Sequence, residues 1–175
     1  MRREIRFAGF GGQGVILAGM ITGRAAALHD GKEAIVTQSY GPEARGGACS
    51  AQLVIDDQPI DYPMVTRPDV LVVMSQEAAQ KYTGDLADGC QVLVDEGLVH
   101  LPASAPWPVY KIPATKLAEQ LGNRMAANVV MLGFFAAITG AVNRSSMETA
   151  IRDSVKERFI DLNMRAFDIG YSHAQ

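Results

Sequence analysis

The sequence has little of what several chemistries require. It contains two cysteines, Cys49 and Cys90, far apart and outside any C-x-x-C pattern, so neither a disulfide framework nor a zinc ribbon is expected. An iron–sulfur cluster takes four thiolates, more than this chain can supply alone. Two isolated cysteines read as buried free thiols in a reducing cytoplasm. The three histidines, His29, His100 and His173, are dispersed, and no pair has metal-ligand spacing. Basic residues are not in excess: 16 Lys and Arg stand against 19 Asp and Glu, a net charge of −3. That balance argues against a nucleic-acid partner, which wants a basic stripe. Met1 to Ile5 reaches the first glycines without an apolar stretch of the signal-peptide kind. The most apolar segment, Met125 to Val142, is interrupted by Asn128, Thr139 and two glycines. It falls short of the ~20 apolar residues of a membrane span and reads as a buried core helix, so no membrane partner is expected.

What the sequence does have is alternation. A chain of 175 residues, 48% hydrophobic and 20% charged, suits a single globular domain over residues 1–175. Ile5 to Phe10 is an apolar run ending in glycines, and Val15 to Leu28 is a mostly apolar helix stopped by His29-Asp30-Gly31. Ala34 to Thr37 is the next strand. Strand, glycine turn, helix and strand make the βαβ grammar that predicts a parallel pair. Further strands are expected at Ser50–Ile55, Val70–Met74, Val92–Val94 and Val109–Ile112. Two of these are continuous apolar runs, as in strands buried on both faces. Helices are expected at Gln76–Leu86, Thr115–Leu121 and Arg124–Ala141. Ser145 and Glu148 have capping-box spacing. Behind them Met147, Ile151, Val155, Phe159, Leu162, Ala166 and Ile169 recur every three or four residues. That periodicity predicts one long final helix with an apolar face turned to the domain's own sheet. The fold class is therefore α/β: a three-layer sandwich with a mainly parallel, Rossmann-like sheet and helices on both faces.

Two glycine-rich loops carry the candidate chemistry. Gly9-Phe10-Gly11-Gly12-Gln13-Gly14 satisfies G-x-G-x-x-G between a strand and a helix. There the helix start offers free N–H groups to an anion. A standard NAD scheme also wants an acid after the second strand. Here that strand ends in Gln38-Ser39-Tyr40, while Asp30 and Glu33 precede it. No Gly-Lys-Ser/Thr follows the glycines, so the P-loop is excluded too. Two readings stand: an anion site, or glycines that let the helix approach the sheet. The second loop, Tyr40-Gly41-Pro42-Glu43-Ala44-Arg45-Gly46-Gly47, should reach the same carboxyl edge, where ligands of parallel sheets collect. Arg45 could hold a phosphate or carboxylate bidentately, or merely pair with Glu43 at the surface. Cys49 has no base beside it in sequence and reads as a small buried hydrophobe. Asn128, inside the apolar helix, needs a partner if buried: a helix–loop hydrogen bond or a ligand.

Taken together, the two loops resemble those of the gamma subunit of 2-oxoacid:ferredoxin oxidoreductases, the pyruvate/ketoisovalerate oxidoreductase family. Weaker matches follow at Pro68-Asp69-Val70-Leu71-Val72, Asn128-Val129-Val130-Met131-Leu132-Gly133 and Asn163-Met164-Arg165-Ala166-Phe167-Asp168-Ile169-Gly170. The resemblance runs from Ile5 to Gly170. It implies a subunit of an enzyme that oxidatively decarboxylates a 2-oxoacid (2-oxoglutarate, pyruvate or a branched-chain acid), forms acyl-CoA and reduces ferredoxin. It implies partner chains: alpha, beta and, as a further candidate, a ferredoxin-like delta subunit. Thiamine diphosphate, Mg2+ and iron–sulfur clusters would sit on those partners. This chain has no Gly-Asp-Gly thiamine motif, since Gly84-Asp85-Leu86 is not one. No catalytic residue and no metal ligand are assigned here. Coenzyme A contact is assigned to Gly9, Gly11, Gly12, Gln13, Gly14, Tyr40, Glu43, Arg45, Gly46 and Gly47. Two alternatives are a structural subunit without ligand contacts and the small subunit of an indolepyruvate oxidoreductase.

Overall fold

A computed structural model describes residues 1–40 and 47–175. The chain runs β1 (Arg3–Phe10), α1 (Val15–Arg24, continued by one π-helical turn at Ala25–His29), β2 (Glu33–Tyr40) and β3 (Ala48–Asp56). It continues with β4 (Val70–Val73), α2 (Gln76–Tyr82), β5 (Gln91–Asp95), β6 (Val109–Ile112) and α3 (Ala114–Gln120). The apolar segment forms α4 (Ala127–Thr139), and α5 (Arg144–Ser154) and α6 (Ile160–His173) end the fold. The strands form one sheet in the order β2-β3-β1-β4-β5-β6. β1, β4, β5 and β6 are parallel neighbours, and β3 alone runs antiparallel, to β1 and to β2. The α/β class and the mainly parallel sheet are as expected.

One pairing differs from expectation. β1 and β2 point the same way but do not share a ladder, because β3 lies between them. The short return from β2 makes β3 its antiparallel neighbour, with Tyr40 facing Cys49 across the ladder. A short connection can join only antiparallel neighbours. β3 then places Cys49 opposite Gly9 as well.

The sheet separates two cores. On one face Ile5, Phe7, Leu53, Val72 and Leu93 pack under α1, α3 and α4. On the other Ala8, Leu71, Val73, Val92 and Val94 meet Ala78 and Ala79 of α2. α2 starts at Ser75, whose hydroxyl accepts from Ala78 N–H at 3.1 Å, the N-cap bond that satisfies an orphan donor. Helix α4 is apolar on nearly every side because it is covered on every side: the sheet lies beneath it and α6 lies over it. The approach of α6 is set by two glycines. A Cβ on Gly133 would fall 2.1 Å from Phe167 O, and one on Gly170 would fall 1.9 Å from Val130 O.

The expected single final helix is two helices. The chain leaves the helical region at Val155 (φ −112°, ψ 156°) and resumes through a 3-10 turn, Glu157–Phe159. The apolar stripe therefore does not turn as one face to the sheet. Met147 and Ile151 pack against α1 and its π-helical turn, while Ala166 and Phe167 pack on α4. The sheet position is already taken by α4.

The capping box does not form either. Asn143 is the N-cap of α5, and Glu148 pairs with Arg144 at 2.8 Å. Asp30 serves this helix start instead. It accepts from Asn143 N–H and Asn143 Nδ2, each at 2.9 Å, and from Ser146 Oγ. Burial by itself would raise the Asp30 pKa, but those donors and Lys32 outweigh it and hold the pKa below the ordinary aspartate value. The sign follows: a depressed carboxyl stabilises the fold above its unfolded pKa of ~3.9, and that contribution is lost as pH falls through the lower folded value. Asp30→Asn should therefore lower the melting temperature at pH 7, and the gap to wild type should narrow in melts taken at progressively lower pH, below the ordinary aspartate pKa.

Candidate functional site

The glycine loop sits at the carboxyl end of β1, at the centre of the sheet, where β1 joins α1. Its glycines serve different needs. Gly12 (φ +95°) and Gly14 (φ +77°) occupy left-handed backbone that disfavours a side chain. A Cβ on Gly9 would meet Gln13 Oε1 at 2.5 Å, and one on Gly14 would meet Asn128 Nδ2 at 2.4 Å. Gly11 is neither left-handed nor crowded: nothing lies within 4 Å of its Cβ position. The fold alone does not ask for glycine there.

Gln13 locks the loop to the sheet. Its Oε1 accepts from Phe10 N–H at 2.7 Å and its Nε2 donates to Met74 O at 2.8 Å. Asn128 locks the loop to α4, donating to Gly14 O at 3.2 Å. Of the two readings of Asn128, the helix–loop bond is the one observed. Helix α1 has no side-chain cap and no acid in its first turn. The N–H groups of its opening turn thus lack intrahelical acceptors and carry the positive end of the helix dipole.

Three hollows adjoin the loop. One of about 460 Å³ is lined by Phe10, Gly11, Gly12, Gly14, Val15, Ile16, Leu17, Met20, Tyr40 and Cys49. A mainly apolar one of about 400 Å³ begins at Gly14 and extends past Met125, Val155, Lys156, Phe159 and Leu162. A small one of about 90 Å³ lies between Gly12, Gln13, Met74, Thr115 and Arg124. So the structure brings Gly9, Gly11, Gly12, Gln13, Gly14 and Tyr40 together at one edge, and Gly47 precedes β3 at the same end. Glu43, Arg45 and Gly46 lie outside the described residues.

Two cations at this edge were not legible in sequence. Arg124 borders the small hollow, with its Nη1 3.8 Å from Glu119. Lys156 borders the apolar one. Neither sits in a motif; the chain reversal after α3 and the break at Val155 bring them here. The buried Asp95 accepts from Thr115 N–H and Oγ1, at 3.0 and 2.6 Å, and ties β5 to the start of α3.

The thiols are not poised for chemistry. Burial raises the Cys49 pKa. Burial, then the charge of Asp69, pushes Cys90 up to about 12. Both stay protonated at neutral pH and lack thiolate character. Exposed apolar side chains, in contrast, gather around the loop. Of the ten large ones among the described residues, six border these hollows: Phe10, Leu17, Met20, Tyr40, Met125 and Phe159. Apolar surface concentrated in this way marks a place where something docks.

Residues 4–173 match the family described as pyruvate ferredoxin/flavodoxin oxidoreductase. The chain is 53% identical to the 2-oxoglutarate synthase subunit KorC of Methanocaldococcus jannaschii, over 100% of this chain and 95% of that protein. Its fold is similar to that of the gamma subunit of a keto/oxoacid ferredoxin oxidoreductase from Geobacter sulfurreducens. The TM-score is 0.91 and the identity 41%, covering 99% of this chain and 97% of that one. The fold also recurs within the 2-oxoglutarate:ferredoxin oxidoreductase of Magnetococcus marinus, whose structure has 2-oxoglutarate, coenzyme A and succinyl-CoA bound. There the TM-score is 0.89 at 24% identity, covering 99% of this chain and 31% of that one.

Proposed function

The chain belongs to the pyruvate ferredoxin/flavodoxin oxidoreductase family, and from that premise we propose that its glycine edge binds coenzyme A. It is a gamma-type subunit of a 2-oxoacid:ferredoxin oxidoreductase. The proposed 2-oxoacid is 2-oxoglutarate, which the 53% identity to a 2-oxoglutarate synthase subunit supports. The proposed partners are alpha and beta subunits, with a ferredoxin-like delta subunit and ferredoxin as acceptor. Thiamine diphosphate, Mg2+ and the clusters are assigned to those chains, and the assembly to the cytoplasm. The whole chain is taken as one domain.

The observation that carries the coenzyme A reading is the uncapped start of α1 behind Gly11, Gly12 and Gly14, beside hollows that Arg124 and Lys156 border. The donor set fits a phosphate-bearing ligand: backbone N–H groups, a helix dipole, Arg124 and Lys156. Tyr40 and the apolar walls suit the less polar parts of the same ligand. Glu43, Arg45, Gly46 and Gly47 complete the proposed contact set on the second loop. Coenzyme A supplies the thiol that takes up the acyl group. This chain's part is to bind it and hold it still. Gln13 and Asn128 fix the loop from two sides, so the donors stand in place before the ligand arrives, which lowers the ordering cost of binding. The rival reading is a purely structural subunit, favoured by the apolar side chains around the loop.

The test is viologen reduction by the complex co-expressed with its alpha and beta chains, using a panel of 2-oxoacids with coenzyme A. 2-Oxoglutarate should be the preferred acid. Arg124→Ala and Arg45→Ala should each raise KM for coenzyme A roughly tenfold, the size of one charge-assisted contact, with assembly intact. Loss of the mutant subunit from the complex would assign the loop to an interface instead.

A further inference from the structure

The described residues leave four buried side-chain polar atoms without a hydrogen-bond partner: Arg6 Nε, Ser50 Oγ, Gln52 Oε1 and Tyr82 Oη. All four belong to one place. Arg6 stands opposite Gln52 in the β1–β3 ladder, and Ser50 lies two residues earlier in β3, opposite Ala8. Side chains alternate across a sheet, so these three share the face that α2 covers. Tyr82, at the end of α2, closes over them: its ring centroid lies 5.0 Å from the Arg6 guanidinium carbon.

Arg6 is only 9% exposed. It makes no ion pair and donates no hydrogen bond among the described residues. Its neighbour on the strand cannot serve it. Glu4 is held by Arg2 at 2.9 Å and accepts from Thr66 N–H and Arg67 N–H. The Arg6 Nε–H is buried without a partner, and leaving such a donor unpaired is costly. Burial accordingly pulls the Arg6 pKa below the ordinary arginine value.

The guanidinium does have an outlet. An open cavity of about 430 Å³ is lined by Arg6, Thr66, Lys81, Tyr82, Gly84 and Asp85. Lys81 brings a second cation, its Nζ 5.3 Å from the same Tyr82 ring. Two cations face one carboxylate, Asp85. We propose that this cavity is a binding site for a small oxyanion, a carboxylate or phosphate group. The oxyanion is held bidentately by Arg6, with Lys81 as a further donor and the Tyr82 ring beside both cations. The site lies on the sheet face opposite the core of α1 and α4, and it does not depend on the coenzyme A reading. The oxyanion is either free or the side-chain carboxylate of a neighbouring subunit.

The experiment titrates the full-length chain with inorganic phosphate and with malonate at constant ionic strength, following melting temperature and binding heat against a sodium chloride control. Wild type should show a saturable rise that chloride does not reproduce. Arg6→Met should weaken binding at least tenfold, and Lys81→Gln about threefold. Asp85→Asn should tighten it, a gain that partial unfolding cannot mimic. Equal responses to phosphate, malonate and chloride in wild type would overturn the proposal. So would undiminished oxyanion binding in a folded Arg6→Met chain. A second titration, into the assembled complex, identifies the source. Release of the wild-type subunit by phosphate assigns the natural oxyanion to a partner carboxylate, and binding without release assigns it to a free ion.

Discussion

Gly170→Ala should lower the melting temperature of this subunit by roughly 6–12 °C. A new Cβ at position 170 would stand 1.9 Å from Val130 O. That atom is helix backbone and cannot rotate away as a side chain would. The partner glycine repeats the constraint, since a Cβ on Gly133 would stand 2.1 Å from Phe167 O. Relief therefore needs α6 to move away from α4. Yet α6 is the outer cover of an almost wholly buried helix, and separation opens gaps around Phe167 and Phe134. Overpacking of this kind costs about 3 kcal/mol, and each kcal/mol shifts the melting temperature of a chain this size by ~2–4 °C. Intrinsic propensity works the other way: alanine favours a helix by about 1 kcal/mol over glycine. A fall in melting temperature can thus come only from the crossing. Gly84→Ala is the control, because nothing lies within 4 Å of its Cβ position. Thermal melts of the two variants decide it. A Gly170→Ala chain as stable as wild type would mean that α6 does not cross α4 at this point.

Gly14→Ala should raise KM for coenzyme A at least tenfold in the assembled complex. Two costs combine. The left-handed backbone at φ +77° costs a side-chain residue about 1–2 kcal/mol. The added methyl also meets the Asn128 amide at 2.4 Å. The loop then shifts together with the N–H groups at the start of α1. Asn128→Ala removes the steric partner but also the bond to Gly14 O, worth about 1 kcal/mol. The double variant should therefore be better than the sum of its parts, because the clash is gone and the backbone cost remains. Gly11→Ala makes the sharper comparison. Its Cβ has open space and ordinary backbone, so the fold should tolerate it. A raised KM for coenzyme A at unchanged melting temperature would mark Gly11 as a point of close ligand approach. Gly11→Ala and Gly14→Ala enzymes that both keep the wild-type KM would remove the loop from the coenzyme A site.

Much of this is legible in the sequence. The continuous apolar runs at Val70 and Val92 marked strands buried on both faces, and both became central strands. The glycine loop was placed between a strand and a helix, and it lies there. The mostly apolar segment Met125 to Val142 announced a buried core helix, and α4 is one. The paired loops pointed to the family that residues 4–173 match.

Other features could come only from the folded chain. Periodicity reports which face of an element is buried, but not what buries it, so the stripe from Met147 to Ile169 could not reveal the turn at Val155. No glycine or proline marks that turn; it is made because α4 already occupies the sheet and α6 must fold back over it. The insertion of β3 between β1 and β2 is likewise a matter of pairing order, which no local pattern encodes. Arg124 and Lys156 reach the glycine loop from distant segments. Arg6, inside the run read as the first strand, becomes a buried charge once α2 lies over that face. The sequence by itself determined the elements, their buried faces and the family. The tertiary structure alone decided the neighbours, because strand order and helix crossings are set by long-range packing between segments that carry no local record of one another.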